Sequence, residues 1–397
     1  MPSPALPLIC ALLRGESPAW PADLGDGAVD DFLREARCHG VTPLLDARFR
    51  GMRPRKAGSD PISQEAGSDP DSSDPGSSWP AAILSTCRED ALVQAMNELQ
   101  RRTELARVLS AFANARIAAL LFKGTALAYS RYADPALRPR ADTDLLVAPP
   151  DRDAALRILR ELGYRRVSGP AGTYVGYQSE MTRIDPHGHA YSVDLHWRLS
   201  NAQSFAWLFS FEELAAASLP VDTLGAGARR LGDAHALAIA LLHRTGNNVF
   251  VEADFGDRLI WLHDFRVLAD AMSDDELARF VRLAGEKRFA AIAIDGLRRC
   301  AERLPSPRID ALIASLEHGP AAASGADLLR AGRLRREWLE LRAVPTMRAR
   351  LAYLAGRAFP AADYMRERFP ESGRALPLLH AQRWLGGVVP RKSARER

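Results

Sequence analysis

Three acidic residues and one turn in this 397-residue chain have the types and spacing for chemistry. Asp142 and Asp144 flank Thr143 and run directly into the apolar stretch Leu145-Leu146-Val147. Residues two apart on a strand point to the same face, so the two carboxylates converge. Asp194, inside Val193-Asp194-Leu195, lies in a second strand-like run and brings a third carboxylate to the same point. Clustered acids repel one another unless cations neutralise them. Oxygen donors favour Mg²⁺ or Mn²⁺, and Mg²⁺ takes a few carboxylates together with substrate phosphates. Lys123-Gly124-Thr125 follows a short apolar run and opens a helical pattern. Strand, glycine turn, helix is the arrangement that presents backbone N–H groups to an anion. Beside a metal cluster it suits a triphosphate: one ion activates the attacking hydroxyl, the other steadies the triphosphate and the departing pyrophosphate.

An isolated Asp pair also serves as a strand end or helix cap, so the order of the features carries the reading: turn, acid pair leading a strand, then an acid inside a later strand. Arg138 and Arg140 precede Asp142. They either clasp phosphate oxygens, for which arginine is well suited, or offset the carboxylates. His187, His189 and His196 surround Asp194, but no His or Cys elsewhere shows zinc spacing, and the first two read as exposed loop histidines. His196 shares a strand face with Asp194 and either reaches a nucleotide or orients a carboxylate.

These residues need elements to hold them. Ile117–Phe122 and Leu145–Val147 read as buried strands, followed by strand-like runs at Tyr164–Val167, Tyr174–Met181 and Tyr191–Leu199. Between them, Asp151 is expected to cap a helix that buries Leu156, Ile158, Leu159 and Leu162 and closes at Gly163. Residues 116–210 thus form a small domain of strands and helices. Ahead of it lie a helical segment over 1–55, broken at Gly40 and Pro43, and a long helical segment over 80–115 with its arginines on a solvated face. Residues 56–79, rich in Ser, Asp, Gly and Pro with AGSDP repeated, read as a disordered insertion. After 211 the pattern is helical to 390, clearest at Leu237–Leu242, Leu259–Leu268 and Phe289–Leu304, with a capping box at Ser273 and Glu276 and a basic tail over 391–397.

Composition excludes several classes. Hydrophobic residues make up 47% and charged residues 26%, which rules out fibrous and wholly disordered chains. The balance of 53 basic against 49 acidic residues, +4, gives no argument for a polyanion partner, and no interleaved basic-aromatic stripe supports nucleic-acid binding. Cys10, Cys38, Cys87 and Cys300 are widely spaced, as expected of reduced thiols in a cytoplasmic protein. The apolar run Ala5–Leu13 lacks a basic lead and reads as a core helix. No run reaches the roughly 20 apolar residues of a membrane span.

The stretch LFKGTALAYSRYADPALRPRADTDLLV (121–147), followed by VDLHWRL (193–199), resembles the nucleotidyltransferase superfamily typified by DNA polymerase β. It is closer still to a bacterial branch of uncharacterised nucleotidyltransferase-like proteins with a KG…R…DxDLLV…VDLHW pattern. The resemblance implies an α+β fold: a small mixed sheet with flanking helices, N-terminal helices and a C-terminal helical domain. It implies that Asp142, Asp144 and Asp194 bind metal and are catalytic, with Lys123, Gly124, Thr125, Arg138, Arg140 and His196 around the nucleotide. The superfamily usually shows Gly-Gly-Ser where this chain has Lys123-Gly124-Thr125, so Lys123 either offers charge to the triphosphate or pairs with an acidic neighbour. His243 and the segment Arg258–Asp264 match a recurrent stretch of the same branch, making His243 and Asp264 candidates for acceptor contacts or for interface packing, while Trp261 reads as core. The implied function is Mg²⁺- or Mn²⁺-dependent transfer of a nucleoside monophosphate from an NTP, ATP included, to a hydroxyl of a protein, small molecule or RNA. The alternative is a nucleotide- or partner-binding protein that keeps the fold without turnover.

Overall fold

A computed structural model describes residues 5–25, 27–52, 79–167, 176–225, 227–250, 256–370 and 372–386. The expected insertion up to residue 78 and the basic tail lie outside these residues. Trp79, expected as the last residue of the insertion, is instead core: it is buried against Trp20, Phe32 and Phe49, and its indole N–H donates to the Pro18 carbonyl at 2.9 Å.

The fold is α+β. The N-terminal helices are α1 (Ala5–Leu13), α2 (Ala28–His39) and α3 (Thr42–Met52). Gly40 ends α2 in the left-handed conformation, its N–H on the Ala36 and Arg37 carbonyls. Pro43, expected as a breaker, lies in the first turn of α3, where a proline's missing N–H costs nothing. The long α4 (Ala81–Asn114) then leads into a seven-stranded mixed sheet.

The strands are β1 (Ala119–Leu121), β2 (Thr143–Val147), β3 (Arg165–Arg166), β4 (Gln178–Ile184), β5 (Ala190–His196), β6 (Leu219–Pro220) and β7 (Arg229–Arg230), in spatial order β3-β4-β5-β2-β1-β7-β6. The β2–β5 and β1–β7 pairs are parallel and the rest antiparallel. Through β6 and β7 the sheet draws on residues beyond 210. Between the strands run α5 (Lys123–Ala128) and α6 (Arg152–Glu161). Gly163 (φ 90°) closes the turn after α6 as expected, but Asp151 makes no capping hydrogen bond; it ends a 3₁₀ turn begun by Pro149. That helix fully buries only Ala155 and Leu159, with Leu156, Ile158 and Leu162 at the margin.

The two faces of the sheet bury different cores. Leu121, Leu145, Val193 and Leu195 close over Leu105, Val108 and Phe112 of α4 and over α6. Leu120, Phe122 and Leu146 face the helical body. That body joins α1–α3 to α9 (Asp233–Phe250), α10 (Leu259–Ala271), α11 (Asp274–Glu286), α12 (Ala290–Arg303) and α13 (Pro307–Glu317), after the short α7 (Gln203–Ala206) and α8 (Phe211–Ala216). Ser273 caps α11 by accepting the Glu276 N–H, but Glu276 does not complete the box: its carboxylate takes the Ala234 N–H of α9 at 3.2 Å. Farther on, Glu340 of α15 (Arg333–Ala343), which follows α14 (Ala326–Arg330), accepts the backbone N–H groups of Gln203 and Ser204.

The middle of α4 turns its apolar residues outward. Its ends pack inward through Ile83 and Cys87 and through Leu105 and Phe112, while Leu92, Met96 and Leu99 are exposed. At about 1.5 Å per residue the helix is roughly 50 Å long and must bridge both bodies. Its middle turns a polar side inward, where buried Glu98 meets Tyr129 and Arg140. Among the described residues no helix is long and apolar enough to cross a membrane.

Candidate metal and nucleotide site

Register sets the site. β2 and β5 run parallel with Asp144 opposite Asp194 and Leu146 opposite His196. Side chains alternate along a strand, so Asp144, Asp194 and His196 all share the Leu146 face, toward the helical body. One ligand atom from each of Asp144, Asp194 and His196 lies within 4.8 Å of the others. Antiparallel β4 adds Gln178 opposite His196 and Glu180 opposite Asp194 on the same face; Gln178 Nε2 is 3.4 Å from Asp194 Oδ2.

Asp142 stands apart from the expected triplet. It precedes β2 in a bend and is not a member of the close group, whose third place His196 takes. It still feels the cluster: burial first, then Asp144, push its carboxyl upward. Asp194 is moved furthest, up to about 7, by burial and by the charges of Asp144 and Asp142. Burial acts the same way on Asp144, but Lys123 and then His196 outweigh it and hold that carboxyl well below the usual range.

Lys123 therefore pairs with an acidic neighbour. Its Nζ is 2.7 Å from Asp144 Oδ1, and burial, which would lower its ammonium, loses to that carboxylate. The backbone at Lys123 is left-handed, φ 51°, the conformation that explains why glycine is usual in this place. Thr125 is buried and its hydroxyl donates to the Asp142 carbonyl at 3.4 Å, tying the turn to the acid pair.

His196 orients a carboxylate. It is fully buried, its Nε2 is 3.0 Å from Asp144 Oδ1, and its ring stands edge-on to Phe122. Burial and Lys123 push its imidazole down, so the neutral ring donates from Nε2 to the ionised carboxylate.

Neither arginine ahead of the acid pair is free. Arg138, 7% exposed, makes a bidentate pair with Asp264 of α10, at 2.9 and 2.7 Å, and Tyr132 donates to the same Asp264 at 2.7 Å. The Arg138 guanidinium also underlies the turn: a Cβ added to Gly124 would meet its Nη1 at 3.3 Å. Arg140 is paired with Glu98 at 2.8 Å and stacked by Tyr129. Asp264 is thus an interface residue that braces the turn. His243 of α9 lies within range of Lys123 and Asp144; burial first, then Lys123, press its imidazole down to about 3. Asn247 bonds it and Trp261, partly buried against the core, meets it edge-on. His187 and His189 are exposed in the β4–β5 turn, as expected.

The sequence reading missed Glu98, Tyr129, Tyr132 and Gln178. Glu98 carried no local signal: it is one acid on a helix rich in arginine. Gln178 and Glu180 were legible only through strand register.

The donor set fits a hard divalent cation. Two carboxylates offer oxygen, and an imidazole lies beside them.

No curated protein matches the chain. Among solved structures, an antigenic nucleotidyltransferase-like protein from Paracoccidioides brasiliensis is similar at 12% identity and a TM-score of 0.34, over 54% of this chain and 92% of that one; so remote a likeness carries no argument. The model of a family described as uncharacterised nucleotidyltransferase matches residues 26–305, the whole sheet and the helices α9 to α12 included. The chain belongs to that nucleotidyltransferase family.

Proposed function

We propose that the protein is a metal-dependent nucleotidyltransferase that moves a nucleoside monophosphate from an NTP to a hydroxyl acceptor and releases pyrophosphate. The observation that carries this reading is the convergence of Asp144, Asp194 and His196 on the face that meets the helical body. Asp144 and Asp194 would hold Mg²⁺ or Mn²⁺, with Asp142, just ahead of β2, completing the set. The bound ion would supply charge neutralisation and a more acidic acceptor hydroxyl. His196 keeps Asp144 oriented and ionised. The Gly124 turn, braced by Arg138 and Asp264, positions the triphosphate. Family membership supports an NTP as substrate; the acceptor class follows from the reaction, not from a recognised pocket.

One observation favours a second reading, a nucleotide-binding protein without turnover: Asp144 is already neutralised by Lys123 and held by His196. Pyrophosphate release separates the two. Purified protein with Mg²⁺ or Mn²⁺, each of the four NTPs and cell lysate as acceptor source should release pyrophosphate. Metal-dependent NTP binding with no product from any NTP would establish the second reading instead.

A further inference from the structure

The carboxylate at the centre of the group already has a cation. Lys123 Nζ lies 2.7 Å from Asp144 Oδ1, and the same oxygen receives His196 Nε2 at 3.0 Å. Any ion held by Asp144 and Asp194 competes with this ammonium for Asp144.

The choice of residue is informative. Lys123 has φ 51°, a conformation that disfavours a side chain and suits glycine. Arg116 and Arg288 also have positive φ. Among the described residues, Lys123 is the one of these three whose side chain pairs with a buried acid. Its backbone conformation suits glycine, and its side chain is held by charge.

We propose that Lys123 is a tethered counter-ion for the metal site. Without metal its ammonium neutralises Asp144 and keeps the acids compact. With a divalent ion held by Asp144 and Asp194, Lys123 would give up Asp144 and turn to the phosphates at the Gly124 turn. This rests on the metal-dependent reading above and adds a coupling to it. A triphosphate offers the displaced ammonium a new partner, so nucleotide and metal each tighten the other, as linkage requires.

The test is Mn²⁺ titration of the full chain at pH 8, following the electron paramagnetic resonance signal of free Mn²⁺, with and without a non-hydrolysable NTP analogue. Lys123→Gly suits the left-handed backbone, and Lys123→Asn, which tolerates it, is the second variant. Both should bind Mn²⁺ about tenfold or more tightly than wild type without nucleotide, because a unit charge a few ångströms from the ion is removed. The analogue should tighten Mn²⁺ binding more in wild type than in either variant. Unchanged or weaker Mn²⁺ affinity in both variants, with binding lost in Asp194→Asn, overturns the tethered cation and leaves the metal reading standing. An absence of Mn²⁺ binding in wild type and every variant overturns both.

Discussion

Replacing Asp194 with asparagine tests the electrostatics of the cluster without touching its shape. In the folded protein the Asp194 carboxyl is raised from 3.8 to about 7, by burial first and then by Asp144 and Asp142. A raised acid contributes stability below its unfolded value and loses it as pH climbs through the folded one. Above pH 7 the metal-free wild type therefore carries a destabilising charge that asparagine lacks. The rise from 3.8 to about 7 sets a ceiling of about 4 kcal/mol. Asp194 keeps part of its surface in water, and screening reduces the expected effect to about 1–2 kcal/mol. The assay is urea unfolding of wild type and Asp194→Asn at pH 4.5 and pH 8 in chelator. The variant's advantage should grow by that amount between the two pH values. Added Mn²⁺ at pH 8 should then stabilise wild type and leave Asp194→Asn unmoved. A variant advantage that does not change with pH, or a variant less stable at pH 8, would refute the reasoning.

Other expectations follow from the same geometry. Asp144→Asn removes the shared partner of Lys123 and His196, so Mn²⁺ binding and pyrophosphate release should both vanish while the helical circular dichroism signal persists. Breaking the buried Arg138–Asp264 pair from either side should cost about 3–5 kcal/mol in chemical unfolding; the double replacement should cost clearly less than the sum, and strict additivity would mean the two do not act as a pair. Cys38 is exposed whereas Cys10, Cys87 and Cys300 are buried, the last two with thiols pushed up to about 12 chiefly by burial. A thiol reagent at pH 8 should therefore label one cysteine per native chain quickly and the other three only after unfolding.

Much of the fold was legible because it is local. The apolar runs at 119–121 and 145–147, the closing glycines Gly40 and Gly163, and the Ser273 cap are written in short spacings. The two acids that converge, Asp144 and Asp194, were legible as well, since a strand presents alternate residues to one face. What stayed hidden depends on partners far along the chain. Arg138 and Arg140 looked like phosphate ligands because nothing nearby in sequence claims them; their carboxylates come from Asp264, 126 residues later, and Glu98, 42 residues earlier. Asp142 looked equivalent to Asp144 on spacing alone, but β2 begins at Thr143, so only one of the pair enters the ladder opposite Asp194. The exposed Leu92, Met96 and Leu99 of α4 follow from the same cause, a helix whose inward side is chosen by distant Arg140 and Tyr129.

The most direct measurement is transfer itself. Wild type and Asp194→Asn are incubated with Mn²⁺ and each α-labelled NTP in the presence of lysate, and the labelled material is separated into protein, RNA and small molecules. The account predicts label in one of these fractions with wild type, from at least one NTP, lost both on chelation and with Asp194→Asn. Label that persists in the Asp194→Asn reaction, or no label from any NTP despite metal-dependent nucleotide binding, would contradict it.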